Sequence, residues 1–147
     1  MADLIVLDTS VISELMRPAP NGGVRAWIAA KDPLDLAITT ITIAEIRRGI
    51  VRLPDGRQRK RLEEKFSAFV EEAFADRLIV FDRAAAYVCG EVSAARERKG
   101  LHADAVDMMI AAIVKSTGAI LATRNTSDFE QCGIELANPW QSAGSEM

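Results

Sequence analysis

Four short apolar runs constrain this chain more than any other feature: Leu4–Leu7, Leu36–Thr40, Leu78–Phe81 and Ala119–Thr123, with Ile134–Leu136 as a shorter fifth. The first is too short for a helix and shows no polar alternation, which suits a strand buried on both faces of a parallel sheet. It is expected to be the central strand. The stretches between the runs carry helical spacing instead. Val11, Ile12, Leu15 and Met16 mark one helix that Pro18 stops, Val24–Ala30 marks a second, and a third runs through Ile46, Ile50 and Val51 towards Pro54. At the head of the third, Thr42 and Glu45 have the spacing of a capping box. Arg57–Ala75 carries an apolar stripe of Leu62, Phe66, Phe69, Val70 and Phe74, and in Arg83–Lys99 the residues Tyr87, Val88 and Val92 are expected to face inward. From Asp104 to Lys115 the sequence is apolar almost all round, which predicts a buried helix ended by Gly118. Strands separated by helices predict βαβ units with right-handed crossovers. The expected fold class is therefore α/β: a single domain with a mostly parallel central sheet of four to five strands flanked by helices.

A length of 147 residues suits one domain, expected to span residues 1–140, with the small polar residues at 141–147 as a frayed tail. With 49% apolar and 27% charged residues the composition is that of an ordinary globular protein. No apolar run approaches the roughly 20 residues of a membrane helix, and no signal-type segment opens the chain, so a cytoplasmic location without membrane contact is expected. Cys89 and Cys132 have neither metal-motif spacing nor the density of a disulfide scaffold. A single histidine, His102, excludes a His-rich zinc site, and nothing around it resembles a nucleophile elbow.

Acids recur where the runs end. Asp8 follows the first strand, Glu45 the second, Asp107 lies in the first turn of the buried helix, and Asp128 follows the fourth strand. Each has a purely structural alternative. Asp8 or Ser10 would cap a helix, Glu45 would complete a capping box, Asp107 would complement a helix dipole, and Asp128 would start a turn. What those alternatives leave unexplained is the recurrence at one edge of a parallel sheet, the edge where open α/β folds bind ligands. Carboxylates held together repel, and a bound cation relieves the repulsion. Ligands that are all oxygen favour a hard ion, magnesium or manganese, and such an ion suits phosphodiester hydrolysis. The net charge is −3, yet between Glu45 and Lys65 eight basic residues face four acidic ones. A solvated helix face explains any single arginine there, whereas the cluster also suits phosphates, with Arg47, Arg57, Arg59 and Lys60 as candidate RNA contacts.

The ordered motifs Leu7-Asp8-Thr9-Ser10-Val11-Ile12-Ser13-Glu14-Leu15, Ala44-Glu45-Ile46-Arg47-Arg48-Gly49, Asp107-Met108-Met109-Ile110-Ala111-Ala112 and Thr123-Arg124-Asn125 resemble those of PIN-domain ribonucleases, and within them the VapC/FitB-type toxins. Asn138-Pro139-Trp140 is similar to the same subgroup. The resemblance covers nearly the whole chain. It implies a metal-dependent endoribonuclease that hydrolyses RNA with a metal-activated water, made as a toxin, neutralised by a small antitoxin protein and commonly a homodimer. Carried over by position, Asp8, Glu45 and Asp107 match the metal-binding acids. Asn125 stands where relatives often place an aspartate, so either Asp128 fills the fourth acidic position or three acids remain, and one ion is expected. Ser10 stands where an asparagine is common. Thr9, Ser10, Thr123, Asn125 and Asp104 are expected to support the acids or contact substrate, Asp104 also being a helix cap.

Two other classes of function fit less well. A non-catalytic RNA- or partner-binding regulator of the same shape does not need three intact acids. Phosphoryl transfer through an aspartyl-phosphate on Asp8 is expected to show a second aspartate at the position of Ser10, and neither a Walker nor a dinucleotide fingerprint occurs.

Overall fold

The computed structural model describes residues 3–141. Five strands, β1 (Ile5–Leu7), β2 (Leu36–Thr39), β3 (Leu78–Ile79), β4 (Ile120–Ala122) and β5 (Glu135–Ala137), form one sheet in the order β3-β2-β1-β4-β5. Every pairing is parallel. Six helices connect them: α1 (Thr9–Leu15), α2 (Gly22–Ala29), α3 (Thr40–Val51), α4 (Arg57–Phe74), α5 (Arg83–Arg98) and α6 (Ala105–Thr117).

Alternation along the strands divides the core. Ile5, Leu7, Leu36, Ile38 and Ala122 point into one apolar layer with Val11, Ile12, Val24, Ile46, Ile50, Phe66 and Phe74 from α1 to α4. Val6 and Leu121 point the other way, onto Val92 of α5 and Met108, Ile110, Ala111 and Val114 of α6. Being covered on both faces is why these strands read as unbroken apolar runs. The apolar girdle of α6 is consumed inside the domain, where six of its residues are buried. Gly118, in the left-handed region at φ 68°, ends that helix as expected.

Three local expectations are corrected. Tyr87 does not face inward but is 74% exposed; α5 packs through Ala85, Val88, Cys89 and Val92, and Tyr87 lies off that stripe. The capping box at Thr42 and Glu45 does not form, because α3 starts earlier and Thr39 Oγ1 accepts the Thr42 N–H at 3.1 Å. Glu45 is thereby freed for other contacts. Likewise α1 begins directly after Asp8 rather than near Val11. Gln141 closes a turn through its N–H to the Asn138 carbonyl. The rest of the tail, 142–147, lies outside the described residues.

The strand order places β1 at the middle, with the chain first building outwards through β2 and β3 and then returning to β4 on the other side. The carboxyl ends of β1 and β4 therefore flank the switch point at which α/β sheets open a crevice. Leu7 pairs with Ala122, so Asp8 and Thr123 emerge side by side.

Candidate active site

Asp8 is 5% exposed and sits at the head of α1, yet its side chain makes no capping bond. Its Oδ2 instead accepts the Thr123 hydroxyl at 2.7 Å and the Ser10 hydroxyl at 3.0 Å. The capping alternative thus fails for this residue. Both partners are themselves fixed: Thr123 Oγ1 accepts the Asn125 N–H at 3.0 Å, and Ser10 Oγ accepts the Arg124 N–H at 3.2 Å. A carboxylate that is nearly buried costs free energy unless it is hydrogen-bonded and its charge is countered, and the two hydroxyls supply the hydrogen bonds alone. Among the described residues no hydrogen bond reaches Oδ1.

Glu45, in the second turn of α3, is half-buried and accepts the Thr9 hydroxyl. Thr9 Oγ1 also lies 3.1 Å from Thr42 Oγ1, and Thr42 in turn is fully buried beside Thr39. Residues 8 to 10 therefore bind in two directions: Asp8 and Ser10 to the end of β4, and Thr9 to α3. Thr42 enters the site through this contact, as a support for Thr9. The hydroxyl-rich stretch Thr39-Thr40-Ile41-Thr42 at the end of a buried strand was the available signal.

Asp104 caps α6, its Oδ2 accepting the Asp107 N–H at 3.0 Å, so its capping role is the one the geometry supports. Asp107 occupies the first turn. Burial pushes its carboxyl up to about 7, and the negative charges of Asp104, Asp8, Asp128 and Glu45 add to the effect in that order. One carboxyl thus feels all the other acids that the strand and helix ends carry. Asp128 is exposed, in the 3-10 turn Thr126–Phe129. Asn125 precedes that turn, exposed, and its side chain does not cap it. Among the described residues no three Asp, Glu, His or Cys side chains close into a ready-made cage for a metal ion. The donors available remain oxygen alone.

The basic candidates divide. Glu63 of α4 pairs with both Arg47 of α3 at 3.2 Å and Arg59 at 2.9 Å, and these two cations hold its carboxyl below the usual range. Arg57 and Lys60 are exposed and make no ion pair among the described residues. At the crevice itself, Arg124 follows Thr123 and lays its guanidinium over the Trp140 indole, 5.3 Å from the ring centroid. Beside Thr9 and Glu45 a groove of about 510 Å³ runs between α1, α3 and α4, lined by Met16, Ile46, Ile50, Leu53 and Leu62.

Residues 5–134 match the PIN domain family. The chain is 37% identical over 140 residues to the VapC ribonuclease Y4jK of Sinorhizobium fredii, covering 95% of this chain and 100% of that protein. It is 34% identical over 137 residues to the toxin FitB of Neisseria gonorrhoeae, covering 93% and 99% respectively. The crystal structure of FitAcB from Neisseria gonorrhoeae superposes with a TM-score of 0.87 at 34% identity, over 92% of this chain and 98% of that one. The chain therefore belongs to the PIN-domain family, among the VapC/FitB-type toxins.

Proposed function

We propose that this chain is a metal-dependent endoribonuclease that hydrolyses RNA phosphodiesters as the toxin of a toxin–antitoxin pair, acting in the cytoplasm and as a homodimer. The observation that carries this reading is Asp8: a buried acid at the switch point, oriented by Thr123 and Ser10 and not spent on a cap. Among the described residues no helix is long and apolar enough to cross a membrane. The antitoxin follows from the family, and the apolar groove beside Glu45 suits a segment of such a partner.

The residues fit a hard divalent ion. All donors are oxygen, and the Asp107 carboxyl, raised first by burial and then by the charges of Asp104, Asp8, Asp128 and Glu45, stands among like charges that a cation relieves. Asp8, Glu45 and Asp107 would hold it, one ion rather than two, magnesium or manganese. When bound, such an ion supplies a lowered pKa for water and neutralises charge developing on the phosphodiester. The chain's own groups do the positioning. Thr123 and Ser10 hold Asp8, Thr9 holds Glu45, and the Asp104 cap sets the first turn of α6 from which Asp107 projects. Asp128 adds a fourth carboxylate at the same edge.

One observation favours a second reading, a non-catalytic RNA- or partner-binding regulator: the absence, among the described residues, of a ready-made metal cage. Cleavage of a panel of structured RNAs by the purified protein, with magnesium or manganese and with chelator, separates the two. Cutting that needs both metal and Asp8, judged against Asp8→Asn, supports the nuclease. Absence of both cutting and metal binding transfers the assignment to the regulator.

A further inference from the structure

An acid-lined crevice repels the polyanion it is proposed to cut, so the chain needs positive charge near the crevice that is not already spent on its own acids. Two of the four basic residues picked out in the sequence, Arg47 and Arg59, are spent on Glu63. Arg124 is not: it is exposed and makes no ion pair among the described residues. Its main chain is also tied to the acids. The preceding Thr123 donates to Asp8, and the Arg124 N–H reaches Ser10, which donates to the same Asp8 oxygen.

The side chain is held as well. Trp140 is partly buried, packed against the apolar layer that contains Val11, Ile12 and Val24, so its indole is a fixed platform. The Arg124 guanidinium lies over it, 5.3 Å from the ring centroid. A guanidinium held in place loses little freedom on forming a two-pronged contact, which is the geometry a phosphate takes. A cation–π contact consumes no N–H, and among the described residues the Arg124 side chain donates no hydrogen bond; only its main-chain N–H does.

We infer that Arg124, oriented by Trp140, is a substrate-binding residue: a clamp for a backbone phosphate of single-stranded RNA next to the one that is cut. This rests on the nuclease reading. Trp140 is the positioning residue, acting only through the guanidinium.

The test uses the full chain carrying Asp8→Asn, so that RNA survives, and a fluorescein-labelled single-stranded RNA of mixed sequence, with affinity measured by anisotropy from low to moderate salt. Arg124→Ala is expected to weaken binding about tenfold at low salt and to flatten the slope of log affinity against log salt by about 0.7, the value for one phosphate contact on a single strand. Arg124→Lys is expected to keep the slope while binding more weakly, since the charge stays and the fork is lost. Trp140→Leu is expected to behave like Arg124→Lys; Arg124 itself is exposed, so its variants remain folded and decide the matter alone. RNA binding whose slope is unchanged in Arg124→Ala overturns the clamp and leaves the nuclease reading standing. Loss of RNA binding already in the Asp8→Asn parent, together with no metal-dependent cleavage by the wild type, overturns both.

Discussion

The acid crevice and the basic α3–α4 segment are both dense in charge, and the structure treats them in opposite ways. In the basic segment Glu63 neutralises Arg47 and Arg59 together and its own carboxyl is held low, the condition of charges at rest. At the crevice Asp107 is pushed up to about 7, first by burial and then by four other acids. Charge counted along the chain is therefore a poor guide to charge available for binding. Functional charge is what remains unpaired after the elements pack, and unrelieved like charge at a strand edge marks a site more sharply than a cluster of opposite charges on a helix.

The comparison breaks most plainly at Asp8. Asp8→Asn keeps the hydrogen-bond acceptor for Thr123 and Ser10, so the fold is expected to persist while RNA cleavage falls by at least about 100-fold, the scale of a positioned catalytic group. Cleavage rates alongside circular dichroism check this, and retained cleavage moves the chemistry elsewhere. Thr123→Val removes the shorter bond to Asp8 and the acceptor for Asn125; a loss of about 10- to 100-fold in activity or manganese affinity is expected, the range for groups that orient a ligand. Manganese binding followed by electron paramagnetic resonance gives the second readout.

Glu63→Gln should sharpen the contrast from the other side. With Arg47 and Arg59 released, RNA binding by the Asp8→Asn protein is expected to tighten and its salt slope to steepen, by up to about 0.7 for each phosphate gained. An unchanged slope would show that neither arginine reaches RNA. Replacing Arg57 and Lys60 together is expected to flatten the slope, because those cations make no ion pair among the described residues.

A further contrast concerns pH. Asp107 has an ordinary pKa of 3.8 and a folded value of about 7, so between those limits the folded state holds more proton than the unfolded one. Stability of the metal-free protein should therefore fall as pH rises from about 4 to about 7 and level off above. Asp107→Asn removes that slope. Thermal melts of both proteins across this window are the check, and parallel curves would mean that Asp107 is not perturbed. Added magnesium should stabilise the wild type more at pH 8 than at pH 5, since cation and proton compete for the same carboxyl.

Much of the architecture was legible because it rests on local pattern. The first apolar run proved central, the segment from Asp104 proved a buried helix, and Ile134–Leu136 came within one residue of β5. What misled were features one turn or one residue wide. Tyr87 sits next to the inward stripe of α5, and Thr42 looked like a cap because Thr39, which does the capping, read as part of the preceding strand.

By itself the sequence determined that acids would stand at the ends of separate elements, since strand length, helical period and the residue after each run are properties of neighbouring positions. Only the tertiary structure decided what each acid does there. Asp8 and Asp104 both occupy helix N-cap positions, yet Asp104 caps and Asp8 does not. The difference lies in Thr123, which is 115 positions away along the chain and adjacent to Asp8 only because β1 and β4 pair. The same holds for the contact of Glu63 with Arg47 on α3, whereas its i,i+4 contact with Arg59 lies within α4. A side chain's partner across elements is set by packing, and no local pattern encodes it.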